Sequence, residues 1–532
     1  MIKKLSFYKK AVICLFILNS FNNKAQEMIT VHANYEQDTS IKFMQGFLHG
    51  GAYFLDSGLV AKLRPSFWRI GAYWLAGSNY SHVKKFNPKI TINLNDIYMI
   101  IQGIPTQTLS KPWTNGWKSW DSVVAVTVNS SVIDGAPVDY WDVWGEPDAF
   151  WTGTVPQFIE MYRRTDSIIG SIIPSAKITG PEFGFPFCDF SVTPILGFLD
   201  SLHSKGAMVN GVSWHELCNN PENVPNHVQQ LRDSLAVRPW CGNLTIHIPE
   251  YASPQNSIVP GWNLGWLYYL EKSKLNWVSH ACWNESNGVI SWSNCEFGLN
   301  GLFMKDNITP QPNYWVHRAY SELNSTRLVV NISHVKTIAL ASKNNSNQEM
   351  KIIVGRYDNP ILGTHNAPAN VKVKIKNYPY CSSCTKSLVI QHIPSNNVPY
   401  SVPLRAPITT YTGNVNFNAD STDISINGFI DGDVYVIYIN PSETSLLVSI
   451  DEESQNEILP FKISPNPVSE NLSVILPENQ KLYFQILNNL CRVVKEVELT
   501  QSSIINLSNL ASGLYFIKVK DSIFPMQKFI KQ

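Results

Sequence analysis

The chain has 532 residues, enough for about three or four domains at roughly 150 residues each. Its 42 Lys and Arg residues nearly balance 41 Asp and Glu residues, so a net charge of +1 gives no bulk attraction to a phosphate backbone, and we exclude nucleic acid as a partner. Hydrophobic residues make up 44% of the sequence, which excludes disorder along the whole chain.

The N-terminal segment has the three regions of a secretory signal peptide. Lysines precede an apolar run from Ala11 to Leu18, and polar residues follow up to Ala25. The apolar run is too short to cross a bilayer, and no later stretch is long and apolar enough to do so. We therefore assign residues 1–25 to a signal peptide. We expect a protein that is exported through the periplasm, is secreted or held at the cell surface, and has no membrane span.

The cysteines do not form a disulfide scaffold. Of the nine, Cys14 lies in the signal peptide, and the other eight are few for a chain of this length. Cys381 and Cys384 form a lone CxxC motif without a second pair or a neighbouring His pair, which argues against a zinc site. A local disulfide and a pair of buried thiols remain as alternatives. We expect no metal and no cofactor.

Apolar, β-rich runs alternate with helix-like segments between about residues 42 and 320. There are eight runs: FMQGFLHG, SFWRIGAYW, KITINLND, VDYWDVWGEPD, AKITGPEFG, VNGVSWHE, LTIHIPEYAS and WVSHACWNES. From the fourth run onward, matching strand ends recur every 34 to 36 residues, the length of one strand, one helix and two loops. This period predicts a (β/α)8 TIM barrel within residues 26–325. An open doubly wound sheet would be expected to show a Gly-rich phosphate turn, which is missing after the first strand.

Polar and aromatic residues stand at the ends of these strands, where the active site of a TIM barrel lies. They are His49, Arg69, Asp96, Glu146, Glu182, His215, Glu216, Glu250 and Trp283. The set is rich in carboxylates, and it shows neither a Ser-His-Asp order nor an HExxH metal motif. Two carboxylates acting on a neutral, hydroxyl-rich substrate are the chemistry that fits.

Glu146 and Glu250 are the strongest candidates for catalytic carboxylates. Aromatic residues precede Glu146, so we expect poor solvation to raise its pKa and to keep a proton ready for general acid catalysis. Glu250 comes 104 residues later, which is about three strand–helix units, so the two should face each other across the barrel mouth. Retaining glycosidases hold two carboxyl groups about 5 to 5.5 Å apart. The alternative is that both are structural and bond loop amides.

The segment WDVWGEPD resembles the fourth-strand motif W-x-x-W-N-E-P of clan A glycoside hydrolases, most closely of glycoside hydrolase family 39, the family of β-xylosidases and α-L-iduronidases. VSWHE is similar to that family's sixth-strand motif, and IPEYAS to its nucleophile segment. The resemblance covers about residues 42–325. It implies a secreted retaining glycoside hydrolase that cleaves O-glycosidic bonds of a poly- or oligosaccharide by double displacement, with Glu146 as acid/base and Glu250 as nucleophile.

Two positions depart from the family pattern. Gly145 replaces the Asn that precedes the acid/base residue and bonds the sugar 2-hydroxyl. Either the substrate is held differently here, or the protein is a catalytically weak carbohydrate-binding protein on a glycosidase fold. Glu216 follows His215, which makes Glu216 an alternative catalytic carboxylate or a ligand of a sugar hydroxyl. A lyase, the third hypothesis, would need a basic cluster or a metal, and the strand ends carry few basic residues.

The remaining residues at the barrel mouth are assigned to substrate binding. They are His49, Arg69, Trp144, His215, Glu216 and Trp283. Arg69 would orient the nucleophile, as in the clan, or would pair with an acid under the barrel. Trp283 would stack under a sugar ring or pack in the core, and the two histidines would bond hydroxyls or lie satisfied at the barrel end. Asp96 and Glu182 receive no assignment.

After about residue 325 the sequence changes to short alternating runs separated by Asn, Gly and Pro clusters. This pattern predicts an antiparallel β-sandwich over residues 326–441. Family 39 members carry a small β-domain after the barrel, so we interpret the sandwich as a support for the barrel, with a separate sugar-binding module as the alternative. Residues 442–461 include an acidic stretch and are predicted to be a linker.

Residues 462–532 resemble the type A C-terminal sorting domain of the type IX secretion system of Bacteroidota. The marks of that domain are a P-N-P opening, here at residues 465–467, and a G-x-Y-x-x-K strand, here at residues 513–518. The resemblance implies a small β-sandwich and makes the type IX secretion machinery a partner of this protein.

Overall fold

The structure is a computed structural model. It describes residues 26–37, 44–49, 55–71, 79–101, 111–185, 188–218, 220–254, 256–286, 289–291, 298–324, 326–358, 368–395, 402–442, 446–448, 461–476, 482–488, 492–500, 502–520 and 527–532. The predicted signal peptide lies outside the described residues. Within these ranges, no helix has both the length and the apolar character that a bilayer crossing requires.

Eight parallel strands close into a barrel in chain order. The first strand of the chain, β1 (Glu27–Glu36), lies outside it, and the barrel strands are β2 (Gly46–Leu48), β3 (Phe67–Ile70), β4 (Lys89–Asn93), β5 (Tyr140–Asp142), β6 (Ile178–Phe183), β7 (Gly211–Trp214), β8 (Thr245–Tyr251) and β9 (Trp277–His280). Each of the eight predicted runs contains one of these strands, in order. The prediction of a (β/α)8 TIM barrel is confirmed.

Helices follow or cover the barrel strands. They are α1 (Ser57–Leu63), α2 (Asn79–Lys84), α3 (Leu94–Ile101), α4 (Lys118–Ile133), α5 (Pro147–Phe150), α6 (Val155–Ile172), α7 (Val192–Ser204), α8 (Val224–Ala236), α9 (Pro260–Lys272) and α10 (Pro312–Ser321), with 3₁₀ turns at Thr114–Trp117, Pro221–Asn223 and Pro239–Cys241. Helix α6 shows why they form: Thr154 and Gln157 close a capping box at its start, and its apolar residues bury one face.

Large aromatic side chains fill the core around the barrel. Eight tryptophans are among the fully buried side chains: Trp68, Trp120, Trp141, Trp144, Trp214, Trp266, Trp277 and Trp315. Burying such large apolar side chains is a main source of folding free energy in a domain of this size. The polar residues at the carboxyl ends of the strands are supported by this closely packed core.

Two antiparallel-rich sheets form the β-sandwich, in the orders β12-β1-β15-β18 and β13-β14-β19-β16-β17. The strands are β12 (Leu328–Ile332), β13 (Thr337–Asn344), β14 (Glu349–Arg356), β15 (Ala369–Lys376), β16 (Cys384–Ile393), β17 (Ile408–Phe417), β18 (Ser421–Phe429) and β19 (Val434–Ile439); the short hairpin β10 (Asn284–Ser286) and β11 (Val289–Ser291) precedes them. Strand β1 pairs with β12 and β15, so these N-terminal residues, which the sequence analysis gave to the barrel domain, belong to the sandwich. The reason is that β1 buries Ile29, Val31 and Ala33 in the sandwich core.

The sandwich packs directly on helix α9 of the barrel. The backbone N–H of Gly261 donates to the Gly432 carbonyl at 2.6 Å. Farther along α9, Glu271 accepts a hydrogen bond from Arg327 at 3.1 Å and another from the Tyr320 hydroxyl at 2.7 Å. Gly432 and Arg327 lie on the sandwich side of this contact, whereas Gly261, Glu271 and Tyr320 lie on the barrel helices α9 and α10. This packing favours the interpretation of the sandwich as a support over that of a separate module.

The end of the sandwich extends into the predicted linker. Leu447 is 2% exposed, and its backbone N–H and C=O both bond the Gln391 side chain, at 3.0 and 2.9 Å. The predicted start of the linker at residue 442 is therefore too early, because these bonds tie Leu447 to β16. Residues 449–460 lie outside the described residues.

The C-terminal residues have a hydrophobic core of their own, distinct from those of the barrel and the sandwich. Its two sheets have the orders β20-β21-β24 and β23-β22-β25-β26. The strands are β20 (Lys462–Ser464), β21 (Asn471–Ile475), β22 (Leu482–Asn488), β23 (Val493–Leu499), β24 (Ser503–Asn506), β25 (Gly513–Val519) and β26 (Gln527–Lys531). This is the small β-sandwich that the sequence predicts.

Disulfides settle one of the open alternatives. Cys381 and Cys384 are bonded to each other, so the CxxC motif is a local disulfide and not a pair of thiols. A second disulfide joins Cys188 and Cys218, which follow β6 and β7 respectively. Both of those strands end at the barrel mouth, so the bond ties together two loops that surround it.

Candidate active site

Arg69, near the end of β3, is the centre of a buried ion-pair network at the barrel mouth. Its guanidinium donates to Asp142 at 2.8 Å, to Glu182 at 2.9 Å and to Glu250 at 3.0 Å. The side chain of Glu182 is 0% exposed, whereas that of Glu250 is 20% exposed. Arg69 thus holds Glu250, which a ligand can reach, and links it to the buried carboxylates of Asp142 and Glu182.

His215, directly after β7, is the second cation of the cluster. Its Nδ1 atom lies 3.0 Å from Glu146 Oε1 and 4.0 Å from Glu250 Oε2. Its Nε2 atom lies 3.2 Å from Glu182 Oε1. The structure therefore brings the two predicted catalytic carboxylates to one imidazole nitrogen, although they are 104 residues apart in sequence.

The segment that carries Glu146, after β5, is fastened to the end of β6, which carries Glu182. Glu146 has a left-handed backbone conformation, with φ 47°, and its N–H donates to the Glu182 carbonyl at 3.0 Å. Two residues later, the Asp148 carboxylate accepts hydrogen bonds from the N–H groups of Gly184 and Phe185, both at 2.8 Å. A left-handed non-glycine residue is sterically strained and persists only where its surroundings impose it. These bonds impose it here, so the direction of the Glu146 side chain is fixed.

The charges of the cluster decide its proton affinities. Burial acts to raise the pKa of Glu146, but the hydrogen bond and the charge of His215 outweigh it and lower that pKa below its ordinary value. Our expectation that aromatic neighbours raise the pKa of Glu146 is therefore wrong. The sequence contains His215 but does not show that its imidazole lies beside the Glu146 carboxylate. Burial does raise the pKa of Glu250, against the opposing effects of His215 and Arg69. The pKa of His215 is raised well above 6.5, because its three carboxylate neighbours outweigh the effect of burial.

Gly145 stands against the same network. A Cβ atom built at this position would lie 3.4 Å from Glu182 Oε2, 3.6 Å from Arg69 Nη2 and 3.7 Å from Asn93 Nδ2. Those are ordinary contact distances, and the backbone at Gly145 is not left-handed, so alanine would fit. Glu182, Arg69 and Asn93 would be the first neighbours of a longer side chain at this position.

His49 and Asp96 form a second pair at the mouth. His49 Nδ1 accepts from the Gly71 N–H at 2.6 Å, and its Nε2 faces Asp96 Oδ2 at 3.4 Å. Burial and the nearby charge of Arg69 lower the pKa of His49 to about 3, so its imidazole is neutral. Burial raises the pKa of Asp96 to about 6. At neutral pH the pair therefore consists of a neutral imidazole and a largely ionised carboxylate.

Three predicted residues lie apart from the charged cluster. Glu216 accepts from Trp214 Nε1 at 2.7 Å and lies 2.8 Å from His227 Nδ1, so its carboxylate is turned toward these two side chains. Trp144 is fully buried against Trp120 and Trp151. Trp283 is 6% exposed, and its indole N–H donates to the Ala252 carbonyl at 2.8 Å. Stacking of a sugar on Trp283 stays a prediction.

Sequence reasoning missed two members of the network and left a third unassigned. Asp142 and Asn93 end strands β5 and β4, and Asn93 Nδ2 donates to Asp142 Oδ2 at 3.0 Å. Glu182 was noticed only as a strand-end residue. A polar residue at an inward position of an otherwise apolar barrel strand was the available signal, because such a group needs a buried partner.

Several solved structures of glycoside hydrolases are similar to this chain in fold. A glucosidase from Croceicoccus marinus has a TM-score of 0.58 at 13% identity and covers 79% of this chain and 100% of its own. The GH39 enzyme from Xanthomonas axonopodis pv. citri has a TM-score of 0.57 at 14% identity, and the match covers 80% of this chain and 99% of that enzyme. A monomeric beta-xylosidase from Caulobacter crescentus CB15 has a TM-score of 0.55 at 14% identity, and the match covers 78% of this chain and 100% of that enzyme. At such identities the likeness shows the fold alone.

The C-terminal unit is identified separately. Residues 462–532 match the family described as secretion system C-terminal sorting domain, as the P-N-P opening and the final strands predict. This domain marks the chain for secretion or for attachment at the cell surface. A comparison with curated protein sequences gives no match.

Proposed function

We propose that this protein is a retaining glycoside hydrolase that is exported through the periplasm and the type IX machinery and cleaves O-glycosidic bonds of a neutral poly- or oligosaccharide. The observation that carries the proposal is the pair Glu146 and Glu250, two partly exposed carboxylates, one just after β5 and one in β8, that both approach His215 Nδ1. The glycosidase neighbours of the fold support it. Both cations of the cluster, Arg69 and His215, are already paired with carboxylates, which favours a neutral sugar over an acidic one.

The geometry supports different tasks for the two carboxylates. Arg69 donates to Glu250 and favours its ionised form, as a nucleophile that attacks the anomeric carbon requires. Glu146 would protonate the leaving oxygen and then, as a carboxylate, take a proton from the water that releases the sugar. The fixed backbone at Glu146 keeps this group in place during both half-reactions.

Chemical rescue with azide tests the assignment most directly. A panel of aryl glycosides first identifies a sugar that the wild-type protein hydrolyses. Glu250→Ala should then lose turnover, and azide should restore it with a glycosyl azide of inverted configuration, because azide takes the place of the missing nucleophile. Glu146→Ala with azide should instead give a glycosyl azide of retained configuration, since the enzyme-bound intermediate still forms.

Glu216→Ala is the matched control, because Glu216 is a strand-end carboxylate that faces Trp214 and His227. It should keep most of the wild-type rate. Inverted azide product from Glu216→Ala, and not from Glu250→Ala, would overturn the assignment. Binding of oligosaccharides without hydrolysis of any glycoside would favour the catalytically weak carbohydrate-binding protein instead.

A further inference from the structure

Glu182 is a fully buried carboxylate that the proposed mechanism does not use. It touches both cations of the site, Arg69 at 2.8 Å and His215 at 3.2 Å. Arg69 also contacts Glu250, and His215 also contacts Glu146, the two proposed catalytic carboxylates. A buried carboxylate in contact with two functional groups costs desolvation free energy, so it calls for an explanation beyond filling space.

The imidazole of His215 separates Glu182 from Glu146. Its Nε2 atom faces Glu182 Oε1 at 3.2 Å, and its Nδ1 atom faces Glu146 Oε1 at 3.0 Å. The side chains of Glu182 and His215 are 0% and 1% exposed, whereas that of Glu146 is 26% exposed. Solvent and substrate therefore reach this line of atoms through Glu146. Such contacts are often long in an empty site and tighten when substrate binds.

We propose that Glu182 and His215 form a proton-holding pair behind Glu146 and pass a proton to it during glycosidic cleavage. This inference rests on the proposed function. As the glycosidic C–O bond breaks, Glu146 passes to the leaving oxygen the proton that it takes from His215 Nδ1, which leaves Glu146 ionised and His215 neutral. Glu182, which faces Nε2, stabilises the charge that His215 carries before this transfer. In the second half-reaction the proton of the attacking water returns by the same line, so protons balance over one turnover.

The electrostatics of the buried pair agree with this role. Burial raises the pKa of Glu182 well above its ordinary value, against the charge of Arg69 and with the help of Asp142. The pKa of His215 is also raised, by Glu250, Glu146 and Glu182. Whichever member carries it, the pair retains a proton at neutral pH. This explains how Glu146, whose own pKa is lowered, can act as an acid.

Gly145 fits the same arrangement. Because a Cβ atom there would already be 3.4 Å from Glu182 Oε2, a longer side chain would compete with the carboxylate for space. The glycine that departs from the motif leaves room for the relay.

The variant Glu182→Gln keeps the shape of the side chain and removes the ionisable oxygen. Its kcat/KM should fall by about tenfold or more on a glycoside with a poor leaving group, which needs the proton, and by less than about threefold on a 4-nitrophenyl glycoside. The alkaline limb of the pH profile should move to lower pH, because the pair holds its proton less tightly. Equal losses on both substrates with an unchanged pH profile would overturn the relay.

Position 145 provides a second pair of variants that does not depend on how Glu182→Gln folds. Gly145→Asn should show the same preference for good leaving groups, whereas Gly145→Ala, whose Cβ fits, should stay within about twofold of wild type on both substrates. Gly145→Asn with higher activity on the poor leaving group would contradict the proposal, because the family side chain would then be compatible with Glu182.

A titration that needs no activity separates this inference from the proposed function. In the full chain labelled with ¹⁵N-histidine, His215 is assigned by its loss in His215→Asn. Its imidazole should stay protonated well above pH 6.5 in the wild type and should titrate at lower pH in Glu182→Gln. That result in a protein that hydrolyses no glycoside would refute the function and leave the proton-holding pair standing. An unchanged titration in an active enzyme would refute the pair alone.

Discussion

The carboxylates of the site outnumber its two cations, and this imbalance governs the behaviour of single residues. Arg69 and His215 face Asp142, Glu146, Glu182 and Glu250. Buried like charges disfavour each other's ionisation, so at least part of the cluster keeps protons near neutral pH. A substitution of one member therefore changes the proton affinity of the others.

Glu146→Gln should lower the rate on a natural glycan by about 10²- to 10⁴-fold, because the amide cannot deliver a proton to the leaving oxygen. A substrate with a nitrophenolate leaving group should lose much less in the first step. Steady-state kinetics on both substrates measure the difference. Unchanged activity on the glycan would remove Glu146 from the acid/base role, and melting curves of variant and wild type verify that the fold is kept.

The pH dependence of kcat/KM should have an acid limb set by Glu250. The nucleophile must be ionised, and burial raises its pKa above the ordinary 4.5. Protonation at falling pH should therefore remove activity at a pH higher than an exposed glutamate would. Rates across the acid range, with stability followed in parallel by circular dichroism, test this. Full activity retained below pH 4.5 would contradict the raised pKa.

At the scale of elements, helix α9 joins the barrel to the sandwich by close backbone contact. A Cβ atom at Gly261 would lie 2.1 Å from the Arg356 carbonyl oxygen, a distance that forces a shift of backbone. Gly261→Ala should therefore destabilise the protein by about 1–3 kcal/mol, the usual effect of overpacking. Chemical denaturation measures the free energy of unfolding.

Gly170 provides the matched control, since it lies in helix α6 and a Cβ atom there meets nothing within 4 Å. Gly170→Ala should stabilise the protein by about 0.5–1 kcal/mol, because alanine restricts the unfolded chain and favours helix. If both substitutions had the same effect, the contact between α9 and the sandwich would not be a point of tight packing.

At the scale of the whole molecule, the sorting domain and the sandwich have separate hydrophobic cores. A protein of residues 26–448 should therefore fold and keep full activity in vitro. One that ends at residue 440 should be less stable, because it lacks Leu447 and leaves the buried Gln391 side chain without its two bonds to that residue. Thermal melting and hydrolysis rates of the two proteins make the comparison.

Export provides a readout in the native host. The protein of residues 1–448 should remain inside the cell envelope, while the full chain reaches the medium or the cell surface. Immunoblots of fractionated cells follow both. Release of the truncated protein as efficient as that of the full chain would count against a sorting role for residues 462–532.

The sequence by itself determined the barrel, the sandwich, the sorting domain and the position of Glu146 and Glu250 at the barrel mouth. Strand–helix periodicity and alternation are local patterns, and Glu146 and Glu250 follow strands whose ends must meet at the mouth of a closed parallel barrel. Those features need no knowledge of which side chains touch.

Only the tertiary structure decided the partners. His215 reverses the expected shift in the pKa of Glu146, Glu182 joins both cations, and β1 crosses to the sandwich although it precedes the barrel. Each of these depends on contacts between residues far apart in sequence. The pKa of a side chain and the partner of a strand are set by the groups that lie within a few ångströms of it. The order of residues along the chain does not show which groups these are.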